Sequence, residues 1–231
     1  MSEIQCQVTT ISPLTSNVFK VELSPEAPVS FKAGQYVLIH MGENDKRPFS
    51  IANAPKDANR IELHIGADET NAYATEVLER MRNDKAIALS GGHGEAQLQP
   101  NGSPIVLIAG GTGFSYTYSI LQQLLHDTPD AQVTLYWGGK AKEDLYLFDE
   151  LSKLANTHAN FTFAPVIEFP QGKWEGKTGW VHHAVMDDYP DMSGLQVYIA
   201  GRFEMAKVAR DDFTQRGLDT KNLLGDAYAF I

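Results

Sequence analysis

The sequence predicts two domains, an antiparallel β-barrel over residues 1–99 and an α/β parallel sheet over residues 103–231. The first stretch carries short β-branched and aromatic runs broken by turn residues, with one helical pattern among them. Beyond it, strand-like and helix-like runs alternate, the order that builds a parallel sheet with helical crossovers. Between the two, Gln99-Pro100-Asn101-Gly102-Ser103-Pro104 reads as a linker.

In the first half, strands are expected at Ile4 to Ile11, Val18 to Leu23, Tyr36 to Met41, Arg60 to Ile65 and Ala86 to Leu89. Gly34, Gly42-Glu43-Asn44-Asp45 and Pro55-Lys56-Asp57-Ala58-Asn59 punctuate them. The helix runs from about Asn71 to Arg82, with Tyr73, Val77, Leu78 and Met81 as its apolar stripe. In the second half, Gln132 to Trp137, Asn160 to Ile167 and Gln196 to Ala200 read as buried strands. Helices are expected at Leu147 to Asn156, Val181 to Met186 and Phe203 to Arg216. Met205, Val208, Ala209 and Phe213 supply the core stripe of the last one.

The chain has 231 residues and a formal net charge of −10, which argues against a nucleic-acid partner needing a basic face. No apolar run approaches bilayer length, and Met1-Ser2-Glu3-Ile4 lacks the basic and apolar regions of a secretory signal. Cys6 is the only cysteine, so no internal disulfide forms; it alternates with Ile4 and Val8 as a small core residue. A cytoplasmic protein with no membrane partner is the expectation.

The most informative stretch is Ser103-Pro104-Ile105-Val106-Leu107-Ile108-Ala109-Gly110-Gly111-Thr112-Gly113-Phe114-Ser115. A buried-strand run ends in glycines and opens into a helix carrying Ile120, Leu121, Leu124 and Leu125. That arrangement aims backbone N–H groups and a positive helix end at a phosphate. Tyr116 stands where a dinucleotide fingerprint would place its third glycine. A methyltransferase turn therefore competes with a nicotinamide-nucleotide turn on this segment. The methyltransferase would need an acid before the glycines and another ending the next strand, where Ile108-Ala109 and Trp137-Gly138 stand.

In the barrel half, Arg47-Pro48-Phe49-Ser50-Ile51-Ala52-Asn53-Ala54-Pro55 places a cation, a ring and a hydroxyl in one short run. Its proline implies an edge or bulged strand position. A surface arginine beside a core phenylalanine is the simpler reading of that run alone.

Together these segments resemble the ferredoxin–NADP reductase superfamily, and within it the bacterial NAD(P)H:flavin oxidoreductases of the Fre type. Arg47-Pro48-Phe49-Ser50 is similar to the family's flavin motif, and Gly110-Gly111-Thr112-Gly113 to its nicotinamide-nucleotide turn. Tyr136-Trp137-Gly138-Gly139-Lys140 through Asp144-Leu145, Ala200-Gly201-Arg202-Phe203-Glu204-Met205, and Gly225-Asp226-Ala227-Tyr228-Ala229-Phe230-Ile231 follow in family order.

The resemblance implies a flavin-binding barrel, a nucleotide-binding α/β domain, and hydride transfer from NADH or NADPH to riboflavin, FMN or FAD. It assigns catalytic roles to Ser50, which orients the flavin near N5, and to Arg47, over the flavin side chain. Tyr36, Pro48 and Phe49 join the flavin site, where Tyr36 and Phe49 are apolar walls. Backbone groups near His64 and Ile65, with the Thr112 hydroxyl, are donors to the flavin's pyrimidine edge. Gly110, Gly111, Thr112, Gly113, Phe114 and Ser115 form the nucleotide turn, and Arg202 reaches the pyrophosphate. Phe230 is a candidate cover for the nicotinamide, with simple packing as the alternative. Lys140 and Lys142 stand where a ribose 2′-phosphate would lie, and Ala200 replaces a family cysteine.

Relatives that retain FAD bind its diphosphate at a Gly-x-x-[Ser/Thr] helix start. Here that stretch is Gly66-Ala67-Asp68-Glu69-Thr70-Asn71, whose carboxylates repel phosphate. The flavin is therefore expected to be an exchangeable substrate, released reduced to a luciferase, a monooxygenase or ferric iron. The alternative is a resident-FAD reductase serving a protein partner. No metal site is expected: His182 and His183 are adjacent on a helix and read as solvated surface. His93, flanked by Gly91-Gly92 and Gly94, reads as a turn residue near the domain junction.

Overall fold

The computed structural model describes residues 3–57, 59–68 and 71–231. The antiparallel half contains β1 (Ile4–Pro13), β2 (Val18–Pro25), β3 (Tyr36–His40), β4 (Lys46–Ser50), β5 (Ile61–Gly66), α1 (Ala72–Asp84) and β6 (Ala86–His93). Its six strands are ordered β4-β3-β6-β1-β2-β5. The sheet rolls so that its two ends meet: the Ala52 N–H, just past β4, donates to the Glu62 carbonyl of β5 at 2.8 Å. Val21, Leu23, Val37, Ile39, Ile51, Ile61, Leu63 and Ile65 line its fully buried interior. Arg47-Pro48-Phe49-Ser50 lies on β4, an end strand, with Pro48 exposed where a missing N–H costs nothing.

The parallel half contains β7 (Ile105–Gly110), α2 (Phe114–Asp127), β8 (Val133–Gly139), α3 (Phe148–Thr157), β9 (Phe161–Ile167), β10 (Lys177–Thr178), α4 (Val181–Asp188), β11 (Gln196–Ala200), α5 (Phe203–Gln215) and β12 (Leu223–Leu224). The order is β10-β9-β8-β7-β11-β12. Successive strands step outward from β7 to β9, and the chain then returns to the other side of β7 as β11. That reversal is a topological switch point, where open α/β sheets form a crevice beyond the strand ends. The strands are apolar on both faces. Leu107, Leu135 and Trp137 pack under α2 and α3, while Val106, Ile108 and Ile199 pack under α4 and α5.

Two stripes differ from the sequence reading. On α1 the buried face is Ala74, Val77, Leu78 and Met81, whereas Tyr73 is exposed and its ring lies 4.5 Å from the Arg47 guanidinium carbon. On α5, Ala206, Ala209 and Phe213 are buried and Val208 is exposed. Tyr73 and Val208 lie one position off the true stripe, the margin by which helical phase is misread near an amphipathic boundary. His93 ends β6, paired with Tyr36, instead of lying in a turn.

Candidate active site

The glycine turn sits at the switch point. β7 ends at Gly110, a single tight turn spans Gly111–Gly113, and α2 begins at Phe114. A Cβ on Gly113 would lie 2.4 Å from the Ala200 carbonyl oxygen at the end of β11, so no side chain fits. A Cβ on Gly110 would lie 2.9 Å from the Met205 sulfur. Gly111 differs: it has φ +54° and open space where a Cβ would stand. Gly111 and Thr112 are exposed, and no side chain caps the start of α2. The Phe114 N–H is taken by the Gly111 and Thr112 carbonyls, so an anion here would meet the exposed Gly111–Thr112 turn, where the helix dipole favours it. Arg202 is exposed at the start of α5, on the other side of the same switch point. Below the turn, Trp137 donates through Nε1 to the Gly111 carbonyl at 3.0 Å. This bare glycine cradle, with a cation opposite, suits a dinucleotide pyrophosphate.

Phe114 and Ser115 lie beneath the turn, not on its lip. Phe114 is fully buried, its ring stacked on Trp137 at 3.8 Å between centroids. Ser115 is 2% exposed, with no hydrogen-bond partner for its hydroxyl. The helical period turns both side chains inward, so they support the turn and do not present a contact surface.

On β4, Ser50 pairs with Tyr36, Phe49 with Val37, and Pro48 with Leu38. Ser50 and Tyr36 are half-buried. Phe49 packs partly against the barrel core. Arg47, which the resemblance places over the flavin side chain, is bonded within the protein. Its Nε and Nη2 donate to Asp45 at 2.9 and 2.6 Å, Nη2 also to Glu76 at 2.8 Å, and Nη1 to the Tyr73 carbonyl at 2.6 Å. These bonds to Asp45 and then Glu76 raise its pKa further. With four of its five N–H donors engaged, Arg47 ties β4 to α1.

The two motifs are bound to each other through α2. Gln122 donates to the Ala52 carbonyl at 2.7 Å and Ser119 to the Asn53 carbonyl at 2.8 Å. Tyr116 donates to the Ala96 carbonyl at 2.6 Å. One helix therefore opens at the glycine turn and is hydrogen-bonded to residues two and three positions beyond Ser50. A Cβ on Gly34, which has φ +90°, would lie 3.0 Å from both Ile120 and Tyr116, so glycine there lets the barrel close onto α2. Sequence reasoning missed Tyr116, Ser119 and Gln122 because polar residues on an amphipathic helix read as its solvent face.

A second seam lies between β5 and the parallel sheet. His64 is buried, its ring nitrogens at 3.0 Å from Glu62 and 3.1 Å from the Tyr146 hydroxyl. Its ring also stacks on Phe114 at 6.2 Å between centroids. Burial pushes the Glu62 carboxyl upward, but His64, Arg60 and Lys20 outweigh it, so Glu62 lies below its usual range. The His64 ring is fully engaged and the Ile65 side chain is buried, leaving backbone groups as their only means of meeting a ligand. At the end of β5, a Cβ on Gly66 would lie 3.2 Å from Thr112 Cγ2, so the turn and the barrel edge adjoin.

The C-terminal segment returns to the barrel, and it brings a residue the sequence left without a role. A Cβ on Gly94 would lie 2.9 Å from both Asp226 Oδ1 and Tyr36 Cε1. Tyr36 stacks on His93 at 5.8 Å between centroids. Burial raises the Asp226 carboxyl to about 6, and it lifts Tyr36 too, with Asp226 adding to the effect. Phe230 extends past this wall. It is 75% exposed beside Phe203 at 6.0 Å between centroids.

The acidic stretch after β5 lies partly outside the described residues, since Glu69 and Thr70 are not among them. Asn71 caps α1: its Oδ1 accepts from the Ala74 N–H at 3.2 Å and its Nδ2 donates to the Gly66 carbonyl at 2.9 Å. On the far side of the parallel sheet, His182 departs from the solvated reading, for it is 3% exposed. Adjacent helical residues diverge by about 100° at Cβ, yet the long His182 and His183 side chains return their ring centroids to 4.3 Å. Lys142 Nζ lies 4.6 Å from the Phe148 ring centroid, and Lys140 is exposed. Among the described residues, no helix is long and apolar enough to cross a membrane.

Comparisons with known proteins agree with this geometry. Residues 5–98 match the oxidoreductase FAD-binding domain, and residues 107–211 match the oxidoreductase NAD-binding domain. The chain is 46% identical over 235 residues to an NAD(P)H-flavin reductase of Vibrio harveyi, covering 99% of both chains. It is 47% identical, with the same coverage, to an NAD(P)H-flavin reductase of Aliivibrio fischeri. Its fold matches the cytochrome b5 reductase domain of Ulva prolifera nitrate reductase with a TM-score of 0.82, 16% identity and 97% coverage of each chain. It matches an Amycolatopsis cytochrome P450 reductase with a TM-score of 0.83 and 24% identity, over 97% of this chain and 69% of that one. On identity sustained along the chain, and on the two matched domains, it belongs to the NAD(P)H-flavin reductase family of FAD- and NAD-binding oxidoreductases.

Proposed function

We propose that this protein reduces free flavins (riboflavin, FMN or FAD) at the expense of NADH or NADPH. The observation that carries the reading is the pair of hydrogen bonds from Ser119 and Gln122 to the chain just beyond Ser50. They hold the nucleotide turn and the β4 motif in one frame, as a reaction between two bound rings requires. Bound together, the nicotinamide supplies a hydride from C4 and the flavin accepts it at N5.

The chain's own residues bind, orient and exclude water. The exposed Gly111–Thr112 turn and the Arg202 guanidinium hold the pyrophosphate, over the support of Phe114 and Ser115. Ser50 directs its hydroxyl at the flavin edge where hydride arrives. Tyr36 and Phe49 wall the ring, and Arg47 fixes β4 against α1. The Thr112 hydroxyl and backbone N–H groups near His64 and Ile65 stabilise charge gathering on the pyrimidine side. Phe230 covers the nicotinamide face. Exposed Lys140 gives a 2′-phosphate a partner, so both nicotinamide nucleotides serve.

The Asn71 side chain takes one of the first N–H groups of α1, which weakens that helix end as a grip on a flavin diphosphate. Flavin is then held by its ring and ribityl chain and leaves once reduced. The reduced product supplies a luciferase, a monooxygenase or ferric iron in the cytoplasm. The test is the absorbance of the purified protein, followed by NADPH oxidation with and without riboflavin. Nearly colourless protein and strictly riboflavin-dependent oxidation support the reading. A yellow protein that reduces only a protein acceptor would replace it with the resident-FAD alternative.

A further inference from the structure

His182 poses a physical problem that the reductase reading does not use. Its side chain is 4% exposed, and neither ring nitrogen has a hydrogen-bond partner. A buried polar group without a partner is disfavoured unless something satisfies it. His182 and His183 open α4, and Asp212 comes from α5, which packs against it. Their ligand atoms all lie within 4.8 Å of one another, and His182 Nε2 is 3.7 Å from Asp212 Oδ2. That separation is too long for a hydrogen bond. It is close to the spacing of two ligands on one ion. With zinc–ligand bonds of about 2.0–2.1 Å, tetrahedral geometry sets neighbouring donor atoms about 3.4 Å apart.

We propose that His182, His183 and Asp212 form a structural site for one divalent transition ion of the zinc class, which ties the start of α4 to α5. Two imidazoles and one carboxylate match the preference of such ions and not that of Mg2+ or Ca2+, which take oxygen ligands. Water completes the fourth position on the open side, where His183 is exposed and Asp212 partly so. Trp180, itself exposed, stacks on the His182 ring at 5.8 Å between centroids and lies tilted at 5.4 Å from the His183 ring. The site lies with α4 and α5, on the opposite face of the parallel sheet from α2, so its role is to hold the fold and not to move hydride.

The test uses the full chain freed of metal by a chelator and then dialysed. Zn2+ is titrated calorimetrically into the parent, His183→Ala and Asp212→Asn. Both substitutions leave the buried His182 in place, so the fold is retained. One Zn2+ per chain is expected for the parent, weakened at least about tenfold in each variant. Thermal unfolding should move upward with Zn2+ in the parent far more than in either variant. Co2+ should bind the parent competitively with Zn2+ and show visible absorption bands from imidazole ligation, while excess Mg2+ should not displace it. Absence of stoichiometric Zn2+ binding would overturn the proposal. So would equal affinity in all three proteins, or displacement of Co2+ by Mg2+.

Discussion

Two helices begin beside the proposed flavin site, and their first turns are built in opposite ways. α1 follows β5 and is closed by its own chain, with Asn71 accepting from Ala74 and donating to Gly66. α2 follows β7 and starts at glycines, with no capping side chain and with Gly111 and Thr112 exposed. Both ends carry the same partial positive charge from the helix dipole. Asn71 takes one of the first N–H groups of α1, whereas α2 has no capping side chain, which supports the second as the proposed phosphate site. Under the proposed function, the contrast separates a ligand held by phosphates, the nicotinamide nucleotide, from one held by its ring, the flavin.

The largest effect that would break the contrast is expected at Gly113. Gly113→Val forces a side chain into the Ala200 carbonyl, which a Cβ would meet at 2.4 Å. The turn must shift by about 1 Å, and NADPH turnover at low concentration should fall roughly 10²-fold. Flavin binding to the barrel half should survive. Gly111→Ala is the control: it meets open space and incurs only the strain of φ +54°, about 1 kcal/mol. Equal effects of the two substitutions on NADPH kinetics would place the nucleotide elsewhere.

Next comes Ser50→Ala, which removes one directed hydroxyl from the flavin side while leaving the turn intact. Hydride transfer should slow by up to roughly 10²-fold, with the flavin KM changed much less. Stopped-flow reduction at saturating flavin reads this directly. A collapse of flavin affinity with normal turnover would make Ser50 only a binding group.

A smaller effect is expected where the two regions are joined. Ser119→Ala removes the donor to the Asn53 carbonyl, and Gln122→Ala the donor to Ala52. Each should lower stability by about 1–2 kcal/mol, measured by urea unfolding. Each should also reduce kcat more than either KM, because the two ligands still bind but lose registry.

The smallest is Asp226→Asn. Burial raises the Asp226 pKa from 3.8 to about 6, so between those values the folded protein holds a proton that the unfolded chain has released. Its contribution to stability is therefore present below about pH 4 and is lost as pH rises through about 6. The asparagine variant should lose this part of the pH dependence of the unfolding midpoint. Because the ionised carboxylate stands beside Tyr36, it also opposes negative charge arriving on the flavin. The variant's flavin reduction should then decline less between pH 5 and pH 8.

The motifs were legible because each carries a local physical signature. Gly110 to Gly113 follow an apolar strand, and Pro48 marks an end strand in a segment that also bears Arg47 and Ser50. What a sequence pattern does not carry is which side chains meet across the fold. Asp45 is two residues from Arg47 and Glu76 is on α1, and only the folded chain brings all three together. Ser119 and Gln122 lie on a helical face that periodicity marks as solvent, until the barrel is placed against it. Phe114 and Ser115 belong to the nucleotide motif by sequence and to the core by helical phase. His182 reads as surface beside its exposed neighbour, yet α5 covers it.

The start of α1 should give little grip on a flavin phosphate. Dissociation constants for riboflavin, FMN and FAD, measured side by side by fluorescence quenching, test it most directly. The three should agree within about threefold, a difference of less than about 0.7 kcal/mol, and none should remain bound through gel filtration. FAD bound a hundredfold more tightly than riboflavin, and retained on the column, would contradict it.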